Sequence, residues 1–264
     1  MAHFVVDDLR LAYDDLAPDG EVRGVVVLAH GFASNRAENW RRLGWYAAFA
    51  QAGYRVAAFD LRGHGESDKP HAPERYARVE LARDIIRLMD AAGIRRAHLM
   101  GYSLGAHLAL AAALAAPERI DKLVLGGIGG RLLGPPPPAP AMSLAEALLT
   151  DDPEAIADPV QRGFRQFAEA QGDDRAALAA CSRGVAAGAT IPDLARLAPS
   201  TLVAAGAQDD LAGDPAILAA ALPEGRAVVL PGCDHFSAIP HAAFRAAVFD
   251  FLEGYADDDG FVFE

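Results

Sequence analysis

Residues 97–105 of the chain read AHLMGYSLG, and this stretch decides the fold. The apolar residues at its start predict a short strand, and an alanine-rich helical pattern follows at residues 104–116. Between them Ser103 stands at the centre of a glycine–x–serine–x–glycine pattern, which is typical of a sharp turn that lifts a nucleophilic serine above a sheet. Gly101 and Gly105 remove the Cβ atoms that would clash in such a turn. The stretch therefore predicts a nucleophilic Ser103 between a strand and a helix.

Strands and helices alternate on both sides of this turn. Turn residues bound apolar runs that predict strands at residues 9–16, 24–29, 55–59, 97–101, 122–126, 201–205 and 227–230. Helical patterns occupy residues 37–52, 75–92, 104–116 and 242–255. Strands separated by helices imply a mostly parallel sheet with helices on both faces, so the predicted fold class is α/β.

One long segment interrupts this alternation. Residues 129–200 contain no convincing strand, and a proline-rich connector at 134–140 stands near their start. Helical patterns follow at residues 143–150, 153–171, 174–187 and 192–197. A crossover between parallel strands needs only about a dozen residues. We therefore interpret residues 131–199 as a small helical insertion on a core formed by residues 1–130 and 200–264, with ordinary crossover helices as the alternative.

The composition disfavours several classes of protein. The chain has 264 residues, of which 24 are basic and 36 acidic, and its net charge is −12. Such a charge opposes binding to nucleic acid and to an anionic membrane surface. Hydrophobic residues make up 52% of the chain, which is typical of a globular protein. We therefore expect neither a nucleic acid nor a membrane as a partner, and the sequence indicates no oligomeric state.

The first residues and the cysteines of the chain predict a cellular location. The first eight residues lack a basic stretch followed by an apolar run, so no signal peptide is predicted. Cys181 and Cys233 are far apart and match no metal-binding spacing. Since so few cysteines are typical of a reducing compartment, we expect a cytoplasmic protein with no metal site.

A nucleophilic serine needs a base, which histidine commonly supplies. Of the eight histidines, His235 and His241 lie after the last predicted strand, where a loop reaches the carboxyl edge of the sheet. His235 follows that strand closely, whereas His241 lies where the last helix begins. The loop placement therefore predicts His235 as the base.

The base in turn needs a carboxylate that orients it. The predicted strand at 201–205 is followed by GAQDD, which places Asp209 and Asp210 at its carboxyl end. The preceding strand is followed by glycines and an isoleucine, without an acidic residue. One of the two aspartates therefore completes a predicted triad with Ser103 and His235. The alternative is that both aspartates cap the loop or the helix that follows.

Acyl transfer also requires N–H donors for the developing oxyanion. The backbone N–H of Leu104 directly follows the nucleophile and is one predicted donor. The loop at residues 30–35 reads HGFASN, in which Gly31 permits a tight path that turns the N–H of Phe32 toward the site. We interpret His30, beside the strand end, as a structural residue.

These segments together resemble the α/β-hydrolase superfamily: HGF at 30–32, DLRGHGES at 60–67, GYSLG at 101–105, GAQD at 206–209 and DHF at 234–236. The resemblance spans nearly the whole chain outside the insertion. It implies that the insertion is the family's cap over the pocket, and that the turn at 60–67 is structural, so that His64 and Glu66 are not catalysts. It also selects Asp209 over Asp210, because the family's acid usually stands three residues after the glycine that closes its strand.

The identity of the nucleophile narrows the function. Haloalkane dehalogenases and epoxide hydrolases of this fold use an aspartate at the turn, and dienelactone hydrolases use a cysteine. The resemblance with Ser103 therefore implies an esterase-like serine hydrolase that cleaves an ester, thioester or lactone without a cofactor. An apolar pocket favours a small-molecule substrate that is small to medium in size and uncharged. We expect Tyr102, Phe164, Phe167 and Phe236 to line an apolar pocket, although the two cap phenylalanines also fit packing between helices.

Three alternatives are open. Carbon–carbon bond hydrolases of dienone acids share the fold, but they commonly carry a tryptophan after the catalytic histidine and a cap arginine for a carboxylate. Here Phe236 follows the histidine, and Arg162, Arg165 and Arg183 are expected to be solvated. A slow-turnover ligand receptor would carry the same residues. A lipase acting at an interface is disfavoured by the acidic charge and the lack of an amphipathic anchor.

Overall fold

The computed structural model describes residues 2–135, 140–187 and 193–254, and eight strands in these ranges form one sheet. The strands are Ala2–Val6 (β1), Leu9–Leu16 (β2), Gly24–Ala29 (β3), Tyr54–Phe59 (β4), Ala97–Tyr102 (β5), Ile120–Gly126 (β6), Ser200–Gly206 (β7) and Gly225–Leu230 (β8). The α-helices are Trp45–Gln51 (α1), Arg78–Ala91 (α2), Leu104–Ala115 (α3), Leu144–Leu149 (α4), Pro159–Gln171 (α5), Arg175–Ala187 (α6), Pro215–Ala220 (α7) and Ala242–Glu253 (α8). Within the same ranges, no helix has the length and apolar character that spanning a bilayer requires.

The sheet order is β1-β2-β4-β3-β5-β6-β7-β8. The pairs β1–β2 and β2–β4 are antiparallel, and the remaining pairs are parallel. Because the parallel strands share one direction, the loops after β3, β5, β7 and β8 meet at the same carboxyl edge. The predicted α/β class with a mostly parallel sheet is confirmed.

Two apolar cores cover the two faces of the sheet. In β3, Val27 and Ala29 belong to the core that includes α2 and α3, whereas Val26 and Leu28 belong to the core that includes α1 and α8. This alternation follows from the period of two in a strand. Since both faces of β3 are buried, every residue from Val25 onward in the strand is apolar.

The structure differs from the sequence predictions at the amino-terminal side of the sheet. The sequence pattern predicts no strand for β1, which pairs with β2 and buries Phe4 and Val6. The predicted helix at 37–52 is interrupted by Gly44, whose φ of 79° separates a helical turn at Ala37–Arg41 from α1. A left-handed residue cannot continue a right-handed helix, so the helix breaks at Gly44. The apolar periodicity nevertheless continues across this break and therefore predicts a single helix.

The helices α4, α5 and α6 lie between β6 and β7. The predicted helix at 153–171 begins only at Pro159, because the side chain of Asp158 caps the first free N–H groups there. The pattern at 192–197 corresponds to a single turn at Leu194–Arg196, while Pro192 and part of the proline-rich connector lie outside the described residues. The division into core and cap at residues 131–199 stays a prediction.

A buried ion pair joins α2 to the loop after β4. The Nε and Nη2 atoms of Arg62 donate to the two carboxylate oxygens of Asp84 at 2.8 and 2.7 Å, and both side chains are almost fully buried. The Nη1 atom of Arg62 also donates to the carbonyl oxygen of Arg75 at 2.8 Å. The pair therefore orients the loop after β4 relative to α2.

Asp84→Ala is expected to lower the free energy of unfolding by about 3–5 kcal/mol, because it leaves the Arg62 guanidinium buried without its counter-ion. The matched control is Asp90→Ala on the same helix, whose carboxylate pairs with Arg119 but is 62% exposed. A loss below about 1 kcal/mol is expected for this control. Urea unfolding measures both variants, and equal losses would contradict the assigned role of the buried pair.

Candidate active site

Ser103 occupies a strained turn between β5 and α3. Its φ is 51° and its ψ is −115°, a backbone conformation that residues with a side chain rarely adopt. A Cβ atom on Gly101 would lie 2.2 Å from the carbonyl oxygen of Gly105, and one on Gly105 would lie 2.1 Å from the carbonyl oxygen of Ala29. Only glycine fits at either position. The two glycines therefore let α3 begin close to β3 and present the serine at the edge of the sheet.

His235 lies within hydrogen-bond distance of both other residues of the predicted triad. The Nε2 atom of His235 lies 2.9 Å from the Oγ atom of Ser103. The Nδ1 atom of His235 lies 2.8 Å from the Oδ2 atom of Asp209. A proton on Nδ1 is donated to the carboxylate, which leaves Nε2 as the acceptor for the serine hydroxyl. This arrangement suits proton transfer from Ser103 to His235 during nucleophilic attack.

Asp209, and not Asp210, faces the histidine. The side chain of Asp209 is fully buried, whereas Asp210 is exposed. The Oδ1 atom of Asp209 accepts hydrogen bonds from the backbone N–H groups of Leu211 and Ala212 at 3.1 and 2.9 Å. These bonds fix the carboxylate so that its second oxygen meets the imidazole of His235.

Two other histidines are engaged away from this arrangement. His241 is the N-cap of α8, where its Nδ1 atom accepts the N–H of Ala243 at 3.2 Å. His30 is fully buried, and its Nε2 atom accepts the N–H of Leu61 at 2.9 Å while Nδ1 donates to the carbonyl oxygen of Gly31 at 2.8 Å. Burial lowers the pKa of His30 to about 4, so the ring is neutral at pH 7 and supports the loop.

The turn at 60–67 supports the loop that carries Phe32. The ring of His64 packs edge to face against Phe32 and His30, with ring centroids 5.7 and 5.2 Å apart. Within the turn, the carboxylate of Asp60 accepts the backbone N–H of Glu66 at 2.8 Å. Burial lowers the pKa of His64 to about 3. The neutral ring of His64 is therefore a packing partner of Phe32.

Tyr102 positions the loop that carries the histidine. Its hydroxyl donates to the carbonyl oxygen of His235 at 2.6 Å, and its ring packs near Phe244 in the core. Burial raises the pKa of Tyr102 well above its usual range, so the phenol keeps its proton and remains a donor. Tyr102 therefore contacts the backbone of His235 in addition to bordering the space at Ser103.

A space of about 50 Å³ lies beside Ser103. All four residues predicted to line a pocket border this space, namely Tyr102, Phe164, Phe167 and Phe236. The ring of Phe164 packs edge to face against Phe32 and Phe236, with centroids 5.6 and 5.8 Å apart. An aromatic wall formed by Phe32, Phe164, Phe167 and Phe236 thus closes over the serine. That these residues contact a substrate stays a prediction.

The two predicted oxyanion donors both adjoin the serine. Leu104 is the first residue of α3, where backbone N–H groups have no partner within the helix. Phe32 borders the space beside Ser103. Its loop is held by a hydrogen bond of 3.1 Å from the N–H of Gly31 to the Oδ1 atom of Asn39. The role of the two N–H groups as oxyanion donors stays a prediction.

Asn39, which is not among the predicted site residues, borders the same space. Its Nδ2 atom is buried and has no hydrogen-bond partner among the described residues. The amide is therefore a candidate donor to a polar group of a substrate. The sequence does not predict this role, because an asparagine in a helical turn is usually a surface residue. Here Asn39 is buried beside Trp40.

Two of the three arginines considered for a substrate carboxylate, Arg162, Arg165 and Arg183, are engaged within the segment between β6 and β7. The expectation that Arg165 is solvated is wrong, since it is 3% exposed and its Nη1 atom donates to the carbonyl oxygens of Ala147 and Thr150, both at 2.9 Å. Arg162 donates to the carbonyl oxygen of Ile156, and Arg183 is exposed. Among the described residues that border the space at Ser103, none is an arginine.

Gly105→Ala is expected to abolish labelling of Ser103 by a fluorophosphonate, because the added Cβ atom would push α3 away from the carbonyl oxygen of Ala29. The control is Gly163→Ala in α5, where a Cβ atom meets nothing within 4 Å. That change favours the helix and should raise stability by about 0.5–1 kcal/mol without altering the labelling. Mass spectrometry follows the labelling, and equal rates in the two variants would contradict the assigned close approach.

The free energy of unfolding is expected to fall as the pH is lowered from about 6.5 to about 4. Burial depresses the pKa of His30 to about 4 and that of His64 to about 3, whereas a histidine in the unfolded chain titrates near 6.5. Between these values the unfolded chain binds more protons, so acid favours unfolding, by a few kcal/mol in order of magnitude. Urea unfolding at several pH values measures the slope, which His64→Gln should reduce. A flat profile, or an unchanged slope in that variant, would contradict the assignment.

Comparison with known proteins identifies the family of the chain. A family model for the alpha/beta hydrolase fold matches residues 24–180, more than half of the chain. A 2-hydroxy-6-oxononadienedioate/2-hydroxy-6-oxononatrienedioate hydrolase of Burkholderia vietnamiensis is 41% identical over 154 residues, which are 56% of this chain and 51% of that protein. The chain thus matches about half the length of this relative. A 2-hydroxy-6-oxo-6-phenylhexa-2,4-dienoate hydrolase of Burkholderia cepacia is 31% identical over 94% of this chain and 92% of its own length.

Solved structures show the same architecture. An enol-lactonase from Burkholderia xenovorans has a TM-score of 0.72 and 25% identity, over 96% of this chain and 100% of that chain. A 2-hydroxy-6-oxo-6-phenylhexa-2,4-dienoate hydrolase from Rhodococcus also has a TM-score of 0.72 and 25% identity, over 97% of this chain and 98% of that chain. The chain therefore belongs to the α/β hydrolase fold family, in its serine-nucleophile branch.

Proposed function

We propose that the chain hydrolyses the carbon–carbon bond of a 2-hydroxy-6-oxo-dienoic acid, with Ser103 as nucleophile, His235 as base and Asp209 as the acid that orients it. The observation that carries the proposal is the 31% identity, over 94% of this chain, to the 2-hydroxy-6-oxo-6-phenylhexa-2,4-dienoate hydrolase of Burkholderia cepacia. The sequence pattern favours an uncharged ester, with this reaction as an alternative. The relatives' activities support the alternative.

The first half of the reaction uses the geometry at Ser103. His235 takes the hydroxyl proton through Nε2, which lies 2.9 Å from Oγ, as the serine oxygen attacks the ketone carbon at position 6. Asp209 stabilises the imidazolium that forms. The backbone N–H groups of Phe32 and Leu104 stabilise the oxyanion, and losing one such donor typically costs about 2.7–4 kcal/mol.

The second half breaks the bond between carbons 5 and 6. Before the serine attacks, transfer of the 2-hydroxyl proton to carbon 5 gives the 2-oxo tautomer of the substrate, which can accept the electron pair of this bond. When the oxyanion collapses, the electron pair of the broken bond passes into the conjugated 2-oxo acid, and the His235 imidazolium returns a proton to give a 2-hydroxydienoic acid. Water, deprotonated by His235, then releases the second acid from Ser103. One water is consumed and two carboxylic acids result.

The aromatic wall supports this substrate class. Phe164 and Phe236 pack edge to face 5.8 Å apart above the serine, and they suit the apolar group attached to carbon 6. We propose accordingly that the helices of residues 131–199 act as a cap that selects this group. The buried Nδ2 atom of Asn39 offers a hydrogen bond to the polar end of the substrate.

A second candidate is hydrolysis of a lactone or ester. The structural similarity to an enol-lactonase, with a TM-score of 0.72, favours it. The described residues around the space at Ser103 include no lysine or arginine, which also suits an uncharged substrate. The two reactions share the acyl-enzyme and differ in the leaving group, which is a carbon in one case and an oxygen in the other.

The deciding experiment compares kcat/KM for 2-hydroxy-6-oxo-6-phenylhexa-2,4-dienoate with kcat/KM for p-nitrophenyl butyrate. The proposal expects the larger value for the dienoate, followed by the loss of its visible absorbance, together with catalytic rather than single turnover. A larger value for the ester would reject carbon–carbon hydrolysis in favour of the second candidate. A stoichiometric burst without turnover on either compound would indicate a receptor.

Matched variants test the assigned residues. Asp209→Ala is expected to lower kcat by about 10⁴-fold, since the histidine loses its orienting acid. Asp210→Ala, at the exposed neighbour, should leave kcat within about twofold. In the same way His235→Ala should remove activity, whereas His241→Ala at the N-cap of α8 should reduce stability by only about 1 kcal/mol. Equal effects within either pair would contradict the assignment.

A further inference from the structure

A cavity of about 280 Å³ lies between α2 and α3, and its lining does not include the residues around the space at Ser103. We call it the α2–α3 cavity. Most of its wall is apolar and includes Ile86 of α2 and Leu110 and Ala111 of α3. Three polar side chains, Arg78, Arg83 and His107, also belong to this wall. The reaction derived above uses none of these residues.

Arg78 is a half-buried cation without a counter-ion among the described residues. Its Nε atom is buried and has no hydrogen-bond partner there. Burial lowers the pKa of Arg78, as expected of a cation that no adjacent carboxylate compensates. Arg83 also borders the cavity, but it pairs with Glu80 and is 57% exposed. The charge of Arg83 is thus compensated by Glu80 and by solvent, whereas no carboxylate among the described residues compensates the charge of Arg78.

The surroundings add to the positive potential at Arg78. Arg78 is the first residue of the 14-residue helix α2, and a helix favours anions, not cations, at this end. Across the cavity, burial and the charge of Arg78 lower the pKa of His107 to about 4, so its neutral ring retains one N–H to donate. A cation at a helix N-terminus in an apolar wall is unfavourable unless an anion accompanies it.

We propose that the α2–α3 cavity binds a small carboxylic acid with an apolar body. The carboxylate pairs with Arg78 and accepts a hydrogen bond from His107, and the body lies against Ile86, Leu110 and Ala111. The volume of about 280 Å³ is just below the range of about 300–1,000 Å³ for drug-sized ligands, which favours a small molecule. The apolar wall favours a carboxylate on a hydrocarbon over a strongly hydrated anion such as phosphate.

Carboxylate binding in the α2–α3 cavity goes beyond the proposed function at Ser103. It does not rest on that function, because binding is measured without turnover. The probes are hexanoate and hexan-1-ol, which share an apolar body and differ in charge. Chemical-shift titration of the full chain by NMR measures both affinities. The charged contact is expected to make hexanoate bind about tenfold or more tightly than hexan-1-ol, with the largest shifts in α2 and α3.

Three variants separate the contributions. Arg78→Gln should weaken hexanoate binding by about tenfold and leave hexan-1-ol binding unchanged, because it removes the charged contact alone. Arg83→Gln is the matched control, and it should weaken hexanoate by less than about threefold, since that charge is exposed and paired. Ala111→Leu should weaken both probes by filling the cavity. The melting temperature of each variant checks its fold, and Arg78→Gln should not lower it.

Several results would overturn the proposal. Hexanoate could bind Arg78→Gln as tightly as the unaltered chain, or could bind Ala111→Leu without loss. Equal losses in Arg78→Gln and Arg83→Gln would indicate attraction by the general charge of α2. Finally, a small phosphonyl group attached to Ser103 should leave hexanoate binding intact. Loss of binding in that modified protein would assign the acid to the space at Ser103 instead of the α2–α3 cavity.

Discussion

The close approach of α3 to the end of β3 is the constraint on which the site depends. A Cβ atom on Gly105 would lie 2.1 Å from the carbonyl oxygen of Ala29 and 2.6 Å from that of His30, so the first turn of α3 rests directly on the strand end. This contact holds the backbone of Ser103 at a φ of 51° and brings the loop of Phe32 beside it. One packing contact therefore positions the nucleophile together with both predicted oxyanion donors. The strain at Ser103 persists because two strands and a helix impose it.

Buried polar groups then hold the remaining loops at the carboxyl edge of the sheet. Asp60 fixes the turn beneath Phe32, Asp84 fixes Arg62, and the backbone fixes Asp209. Burial raises the pKa of both Asp60 and Asp84 in spite of their arginine partners, so desolvation exceeds the gain from pairing. These ion pairs consequently contribute more to the geometry of the loops than to the overall stability. Breaking one is costly because it leaves the other charge buried.

Features that depend on a few neighbouring residues could be predicted from the sequence, whereas features that depend on tertiary contacts could not. The turn at Ser103 and the strand before it could be predicted because glycine spacing and an apolar run act within a few residues. His235 followed from its position after the last strand, whereas the choice of Asp209 over Asp210 needed a family resemblance. The break at Gly44 was missed because apolar periodicity continues across it. Asn39 was missed because its burial depends on packing against distant segments.

The charge of the substrate distinguishes the two candidate reactions at Ser103, since the site must match that charge. A dienone acid carries an anion and an ester does not, so an enzyme for the former must compensate a carboxylate in a poorly solvated site. Beside Ser103, the unpaired donor among the described residues is the neutral amide of Asn39. Arg165 instead donates its hydrogen bonds to carbonyl oxygens at the end of α4. A neutral donor hydrogen-bonds a carboxylate without cancelling its charge, and Arg78 lies in a different cavity. Affinity for carboxylates at Arg78 and turnover at Ser103 are therefore separable properties of the chain, and substitutions in one cavity need not alter the other.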